Sequence, residues 1–377
     1  MNNFYTERIA GEWGGQNIMY GRTPGPSDTI LMSNDYLALS CDPRVTGAMS
    51  AALIAGGGIF ASGALVHGEH PQLALEQALA GHMQAASGVL CQSGWDANVG
   101  LLQTIADPRI PVYLDHFAHM SLRQGAKAAG ARIHLFRHNR TEHLRREIGK
   151  YGPGIIAVDA IYSTNGSRCP LPQLCDIADE SGSVLVVDES HSLGIDGPKG
   201  AGTVVASGLT DRVHFRTASL FKAFAGRAGL VITNSAEFAG YFKMESYPAI
   251  FSSTLLPHDI AGLSAALDAI GTDDWRRDRL REMSTVLREE MTALGFDLDG
   301  SASHIVALPT GPDERAIAIR DFLHERGIFG AVFCPPATPR NRTLIRFSLH
   351  AALRDSQIAQ LVRACSAIRD RFGVSAA

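Results

Sequence analysis

Between about residues 85 and 235, short apolar runs alternate with stretches of helical length, and most of the runs end on a polar residue. Residues 112–114 lead into Asp115, 133–136 into Arg137, 155–158 into Asp159 and 184–187 into Asp188; runs at 213–215 and 230–233 complete the series. Strands that are apolar throughout, with no alternation, are buried on both faces, the habit of a mostly parallel sheet covered by helices. The pattern therefore predicts an α/β fold. In such sheets ligands bind beyond the carboxyl ends of the strands, where the polar residues of this chain collect. Upstream, the pattern predicts a helix over 43–55. After Ser252 the texture changes: a long charged amphipathic helix over about 273–294, short strands near 304–308 and 344–349, and a terminal helix over about 355–371. These elements read as a smaller α+β domain, dividing the chain into an N-terminal segment (1–45), a large domain (46–252) and a small C-terminal domain (253–377).

Composition narrows the class. The 377 residues carry 34 Lys+Arg against 38 Asp+Glu, a net charge of −4, and 45% are hydrophobic. That acidity argues against a nucleic-acid footprint, and the apolar content suits two or so packed domains rather than disorder. Residues 45–66 lack any charge over a length close to a membrane span, but Gly56, Gly57 and Gly58 interrupt the run, so no span is expected. Gly56, Gly58 and Ala61 fit a dinucleotide fingerprint, yet no strand precedes them. The first 15 residues lack the basic head and apolar run of a secretory signal, and six cysteines without a Cys-x-x-Cys pair suit reduced thiols; a cytoplasmic protein is expected.

Lysine scarcity permits an argument by elimination. Only Lys127, Lys150, Lys199, Lys222 and Lys243 occur, beside 29 arginines. Four have ordinary solvated surroundings. Lys222 follows the run 213–220 between Phe221 and Phe224, where desolvation lowers an ammonium's pKa and yields a neutral amine able to form a Schiff base; its neighbourhood also fits a snorkelling lysine at a strand end. In Val184-Leu-Val-Val-Asp-Glu-Ser-His191 a carboxylate, Asp188, ends a buried strand 34 residues earlier. A buried carboxylate needs a cation, and the ring nitrogen of pyridoxal phosphate is one, with His191 within reach of the ring hydroxyl; a loop cap and a structural histidine fit those two residues as well. The Ser93-Gly94-Trp95 turn before a helix offers phosphate donors or an ordinary N-cap. His116-x-x-His119 and His67-x-x-His70 lack further ligands for zinc, so no metal is expected, and His119 suits an aromatic plate against a cofactor ring or a packed core histidine.

Together these residues carry a resemblance. Ser33-Asn-Asp-Tyr-Leu-Ala-Leu-Ser40, Ser93-Gly-Trp95, His119-Met-Ser121, Val187-Asp-Glu-Ser-His191, Thr217-Ala-Ser-Leu-Phe-Lys222, Phe251-Ser-Ser-Thr-Leu-Leu-Pro257 and Arg346 fall in the order of the α-oxoamine synthases, fold-type I pyridoxal-phosphate enzymes that condense an amino acid with an acyl-CoA. Within that family the chain resembles the α-hydroxyketone autoinducer synthases of quorum sensing, through Gln92-Ser-Gly-Trp-Asp-Ala-Asn-Val-Gly-Leu-Leu-Gln-Thr-Ile105, Tyr151-Gly-Pro-Gly-Ile-Ile156 and Ser246-Tyr-Pro-Ala-Ile-Phe-Ser-Ser-Thr254. Phe221, Ser190, Met120 and Trp95 depart from the common family pattern, the last three in the manner of the autoinducer group.

The resemblance implies Lys222 as the Schiff-base lysine, Asp188 at the pyridine nitrogen, His191 at the ring hydroxyl with Ser163 nearby, and His119 stacked on the ring. It also implies phosphate contacts from Ser93, Gly94, Trp95 and Ser219, Ser253 reaching across from the second subunit of a homodimer, and Arg346 and Asn34 on the substrate. The implied substrates are an amino acid of the S-adenosylmethionine or 2-aminobutyrate type and a medium-chain acyl-CoA. Another α-oxoamine synthase, of biotin synthesis or threonine catabolism, or an aminotransferase on the same fold, is the alternative enzyme; a cofactor-bound regulator without turnover is the alternative of another class.

Overall fold

A computed structural model describes residues 3–58, 61–298 and 300–373. Its contacts divide the chain into two compact units. The larger comprises the described residues of Leu37–Tyr162 and Arg168–Asp274; the smaller comprises those of Met1–Tyr36, Ser163–Ser167 and Trp275–Ala377. The unit boundaries thus fall at Tyr36 and Asp274, where the sequence texture suggested residues 45 and 252. The reason is packing: the helix Pro257–Thr272 lies against the helix Pro43–Ala55 in the larger unit, and the short strand β1 (Thr29–Leu31) joins the sheet of the smaller one.

The larger unit is built on a seven-stranded sheet of β2 (Ser87–Cys91), β3 (Pro111–Asp115), β4 (Arg132–Phe136), β5 (Ile155–Asp159), β6 (Val184–Asp188), β7 (Phe215–Ser219) and β8 (Gly229–Thr233), in the order β2-β8-β7-β6-β5-β3-β4. Strands β4, β3, β5, β6 and β7 run parallel, and β8 is antiparallel to both of its neighbours. Successive side chains of a strand point to opposite faces, and here both faces are covered. Ile155, Ala157 and Val186 join one apolar cluster with Leu101, Leu122 and Phe242, whereas Ile156, Val158, Leu185 and Val187 join another with Leu144, Leu171 and Leu174. This two-sided burial produces the apolar runs seen in the sequence.

The helix expected over 43–55 forms as Pro43–Ala55, capped by Asp42, whose side chain accepts from the Arg44 N–H. Among the described residues no helix is long and apolar enough to cross a membrane. Strand β7 lies two to four residues beyond the run that suggested it. Its interior holds Arg216 and Thr217, both fully buried and satisfied by hydrogen bonds, which a hydrophobicity pattern does not mark. The smaller unit holds a four-stranded sheet, β1-β10-β11-β9, formed with β9 (Ile305–Gly311), β10 (Ile328–Phe333) and β11 (Thr343–Ser348). The charged helix Asp274–Ala293 begins at the unit boundary, and the terminal helix Asp355–Phe372 lies within the smaller unit.

Candidate active site

The carboxyl ends of β5, β6 and β7 lie side by side, with Asp159 in register with Asp188 and Asp188 with Thr217. Beyond them a cavity of about 190 Å³ is lined by Ser93, Gly94, Trp95, Asn98, His119, Asp159, Asp188, Ser190, His191, Ser219 and Lys222. Eight of the expected site residues therefore meet in one cavity of the larger unit: Ser93, Gly94, Trp95, His119, Asp188, His191, Ser219 and Lys222.

Each is placed by a local reason. Ser93 caps the helix Gly94–Ile105 through its side chain, which accepts from the Asp96 N–H at 3.1 Å, so the positive end of the helix dipole faces the cavity mouth. Gly94 is required there: a Cβ on it would stand 2.5 Å from the Ser219 Cβ, so only glycine lets this turn close on the end of β7. His119 caps the next helix, Met120–Ala128; its backbone N–H donates to Asp159 Oδ1 at 3.1 Å, and Trp95 meets its ring edge-on at 6.2 Å between centroids. Asp188 is buried. Its Oδ1 accepts from the Ser190 N–H at 2.8 Å and its Oδ2 from Asn98 Nδ2 at 2.6 Å. The Ser190 hydroxyl in turn accepts from the Ser219 N–H at 2.7 Å, tying the ends of β6 and β7 together. Phe221, next to the lysine, is 63% exposed and does not line the cavity.

Burial lowers the pKa of His119, partly countered by the Asp188 charge and reinforced by Lys222, so the ring is held neutral. Burial, with the Asp188 carboxylate adding to it, holds the Asp159 carboxyl well above the ordinary range.

The other four expected residues lie outside this cavity. Ser253 sits on the larger unit's own surface, in an isolated bridge with Ser62, and its carbonyl accepts from the Gln92 side chain. Ser163, Asn34 and Arg346 belong to the smaller unit. There Arg346, 5% exposed, donates from Nη1 to the Ser163 carbonyl at 2.8 Å and from Nη2 to Asn34 Oδ1 at 3.0 Å, and lies over the Phe333 ring at 4.6 Å. Its Nε has no partner, and no carboxylate among the described residues pairs with it. Burial accordingly lowers its pKa.

Asn98, Asp159 and Ser190 line the cavity without having been singled out as site residues. Asn98 had a legible signal: positions 97, 98, 101 and 102 form the buried stripe of the helix Gly94–Ile105, and Asn98 is the polar member of that stripe.

An amine, a buried strand-end carboxylate, an imidazole at the wall and a helix N-terminus closed by a glycine turn fit pyridoxal phosphate. Comparison with known proteins agrees. Residues 28–365 match the aminotransferase class I and II family. The chain is 42% identical to the CAI-1 autoinducer synthase of Vibrio campbellii, over 93% of this chain and 89% of that protein. It is 32% identical to an 8-amino-7-oxononanoate synthase of Anaeromyxobacter dehalogenans, over 89% of this chain and 85% of that protein. A solved structure of serine palmitoyltransferase carrying a pyridoxal-phosphate internal aldimine superposes with a TM-score of 0.87 at 28% identity, covering 92% of this chain and 89% of that one. Fold and cavity together define a fold-type I pyridoxal-phosphate enzyme. The chain belongs to the aminotransferase class I and II family, within its α-oxoamine synthases, and is a pyridoxal-phosphate-dependent acyltransferase.

Proposed function

We propose that this chain condenses an amino acid with a medium-chain acyl-CoA, releasing CoA and carbon dioxide, to give the α-aminoketone precursor of an α-hydroxyketone autoinducer. The observation that carries the reading is the gathering of Lys222, Asp188 and His119 around one cavity in a chain 42% identical to a CAI-1 autoinducer synthase. Residues Ser93, Gly94, Trp95 and Ser219 would hold the cofactor's phosphate, Asp188 its ring nitrogen, His191 and Ser163 the neighbourhood of its hydroxyl, and His119 one ring face. Pyridoxal phosphate bound there supplies an electron sink for a carbanion at the substrate Cα.

The protein's own groups do the rest. Asp188, fixed by two donors, presents a carboxylate to a cation. Lys222 is the base that takes the Cα proton and returns it once the new carbon–carbon bond has formed and carbon dioxide has left. Arg346 is the proposed clamp for the amino acid carboxylate, since a buried guanidinium with an unpartnered Nε and no acid beside it calls for an anion, and Asn34 holds that guanidinium in place. The chemistry balances: the thioester C–S bond breaks, the acyl carbon joins Cα, CoA leaves as a thiolate that takes a proton from solvent, the carboxylate leaves as carbon dioxide, and Cα recovers its proton. Cytoplasmic synthesis by a homodimer, with Ser253 completing the neighbouring site, belongs to the same reading.

The test is product identification by mass spectrometry, with a panel of acyl-CoA thioesters offered against 2-aminobutyrate and S-adenosylmethionine. An α-aminoketone from a medium-chain thioester supports the reading. 8-Amino-7-oxononanoate as the sole product would move the chain to the 8-amino-7-oxononanoate synthases, and a 2-oxo acid as sole product to the aminotransferases.

A further inference from the structure

Asn98 stands at a junction of hydrogen bonds whose directions can be assigned. The Thr217 hydroxyl lies 2.6 Å from Asn98 Oδ1, and Asn98 Nδ2 lies 2.6 Å from Asp188 Oδ2 and 2.9 Å from Ser121 Oγ. Ser121 Oγ is in turn 2.7 Å from His119 Nδ1. Asn98, Ser121 and Thr217 are each at most 1% exposed. With Asp188 as a carboxylate, the amide has one workable orientation: turned over, it would set its carbonyl oxygen against a carboxylate oxygen at 2.6 Å with no proton between them. The two N–H groups therefore go to Asp188 and Ser121, and Thr217 donates to the carbonyl. Ser121 Oγ, having accepted from Asn98, donates its O–H to His119 Nδ1. The Ser121 N–H points at the same nitrogen from 3.4 Å. Nδ1 is thus an acceptor, and the single proton of a neutral ring sits on Nε2.

We infer that Asn98 is a positioning residue that couples the strand-end carboxylate Asp188 to the tautomer of His119 through Ser121. One amide holds Asp188 as an acceptor and fixes the imidazole as the neutral Nε2–H form, which keeps a further cation away from Lys222 at the cavity wall. The inference rests on the reading of Asp188 and His119 as cofactor residues for its consequence in catalysis, but the tautomer itself does not depend on which substrates are used.

An isosteric change reverses the direction of the relay. In Asn98→Asp the new acid keeps one proton between itself and Asp188, and the same oxygen accepts from Ser121, whose oxygen is then left to accept from His119, so the ring proton moves to Nδ1. In Ser121→Ala, Nδ1 loses its short hydroxyl donor altogether, whereas Ser121→Thr keeps it. The experiment is nitrogen NMR of the full-length, pyridoxal-phosphate-loaded protein with labelled histidine, the His119 signals being those missing from His119→Phe. The expected result is a pyridine-type Nδ1 and a protonated Nε2 in the unsubstituted protein, a populated Nδ1–H form in Asn98→Asp, and in Ser121→Ala an Nδ1 resonance moved toward that of an unbonded pyridine nitrogen, restored in Ser121→Thr. If Asn98→Asp does not fold, the serine pair decides. A proton on Nδ1 in the unsubstituted protein, or an Nδ1 resonance unmoved in Ser121→Ala, overturns the relay. Loss of synthase activity with the expected shifts intact would count against the proposed reaction and leave the relay standing.

Discussion

Asp159 and Asp188 end adjacent parallel strands in register, both almost fully buried, and their carboxyl groups line the same cavity. Burial and the Asp188 charge hold Asp159 well above its ordinary value of 3.8. Between that ordinary value and its raised one, the folded protein keeps a proton that the unfolded chain has lost, so stability falls as pH rises through this window and levels off above it. Asp159→Asn mimics the neutral acid. It should flatten that decline in apoprotein melting temperature from pH 4 upward, and an unchanged slope would mean that Asp159 is ionised in the folded state. Asp188→Asn, by contrast, should weaken cofactor retention at every pH, read from the visible absorption left after dialysis.

Lys222 is the one lysine lining the cavity. Lys243 is paired with Glu76 at 2.9 Å, Lys150 lies over the Tyr151 ring, and Lys127 and Lys199 are exposed. The purified protein should be yellow, and borohydride reduction followed by peptide mapping should find the cofactor on Lys222. Lys222→Ala should lose the fixed adduct entirely; label on another lysine contradicts the assignment.

The parallel strands were legible because two-sided burial leaves a continuous apolar run, and β3, β5 and β6 each stop at an aspartate. Strand β2 was not, because Ser87 and Gly88 make up two of its five residues, and Gly88 is needed where the helix Pro71–His82 crosses: a Cβ there would meet the Glu76 carbonyl at 2.9 Å. Strand β1, three residues long, was too short to show, and β10 was passed over although its residues are mostly apolar. The cavity could be read as far as residue type marks chemistry, as with Lys222, Asp188 and His119. Asn98 and Ser190 act by holding other groups, and their partners, Thr217, Ser121 and Ser219, lie 23 to 119 residues away. Such pairings exist only after folding. The bulk of Phe221 weighs little in the cavity because the residue is exposed and not part of its lining.

Among the described residues Arg346 has no carboxylate partner. If the missing anion is the amino acid carboxylate, removing the guanidinium costs about 3 to 5 kcal/mol, or roughly 10² to 10³·⁵ in apparent affinity. Arg346→Ala should raise the KM for the amino substrate toward that range while cofactor and yellow colour are kept. Arg346→Lys should recover only part, since a point charge cannot reproduce a planar fork. An unchanged KM with loss of fold would make Arg346 structural.

Ser253 lies outside the cavity of its own chain. If it completes the neighbouring site of a homodimer, Lys222→Ala chains mixed with chains blocked at Ser253 form one intact site in each heterodimer. Random pairing should then restore about a quarter of full activity. Confirmed heterodimers without recovery would show that the sites are not shared.

The most direct measurement of the proposed reaction uses 2-aminobutyrate labelled with carbon-13 at the carboxyl group, together with a medium-chain acyl-CoA. Labelled carbon dioxide and free CoA should appear in equal amounts, with an unlabelled α-aminoketone as the organic product, and neither should form with Lys222→Ala. Label retained in the organic product, or CoA released without carbon dioxide, would contradict the decarboxylative condensation assigned to this site.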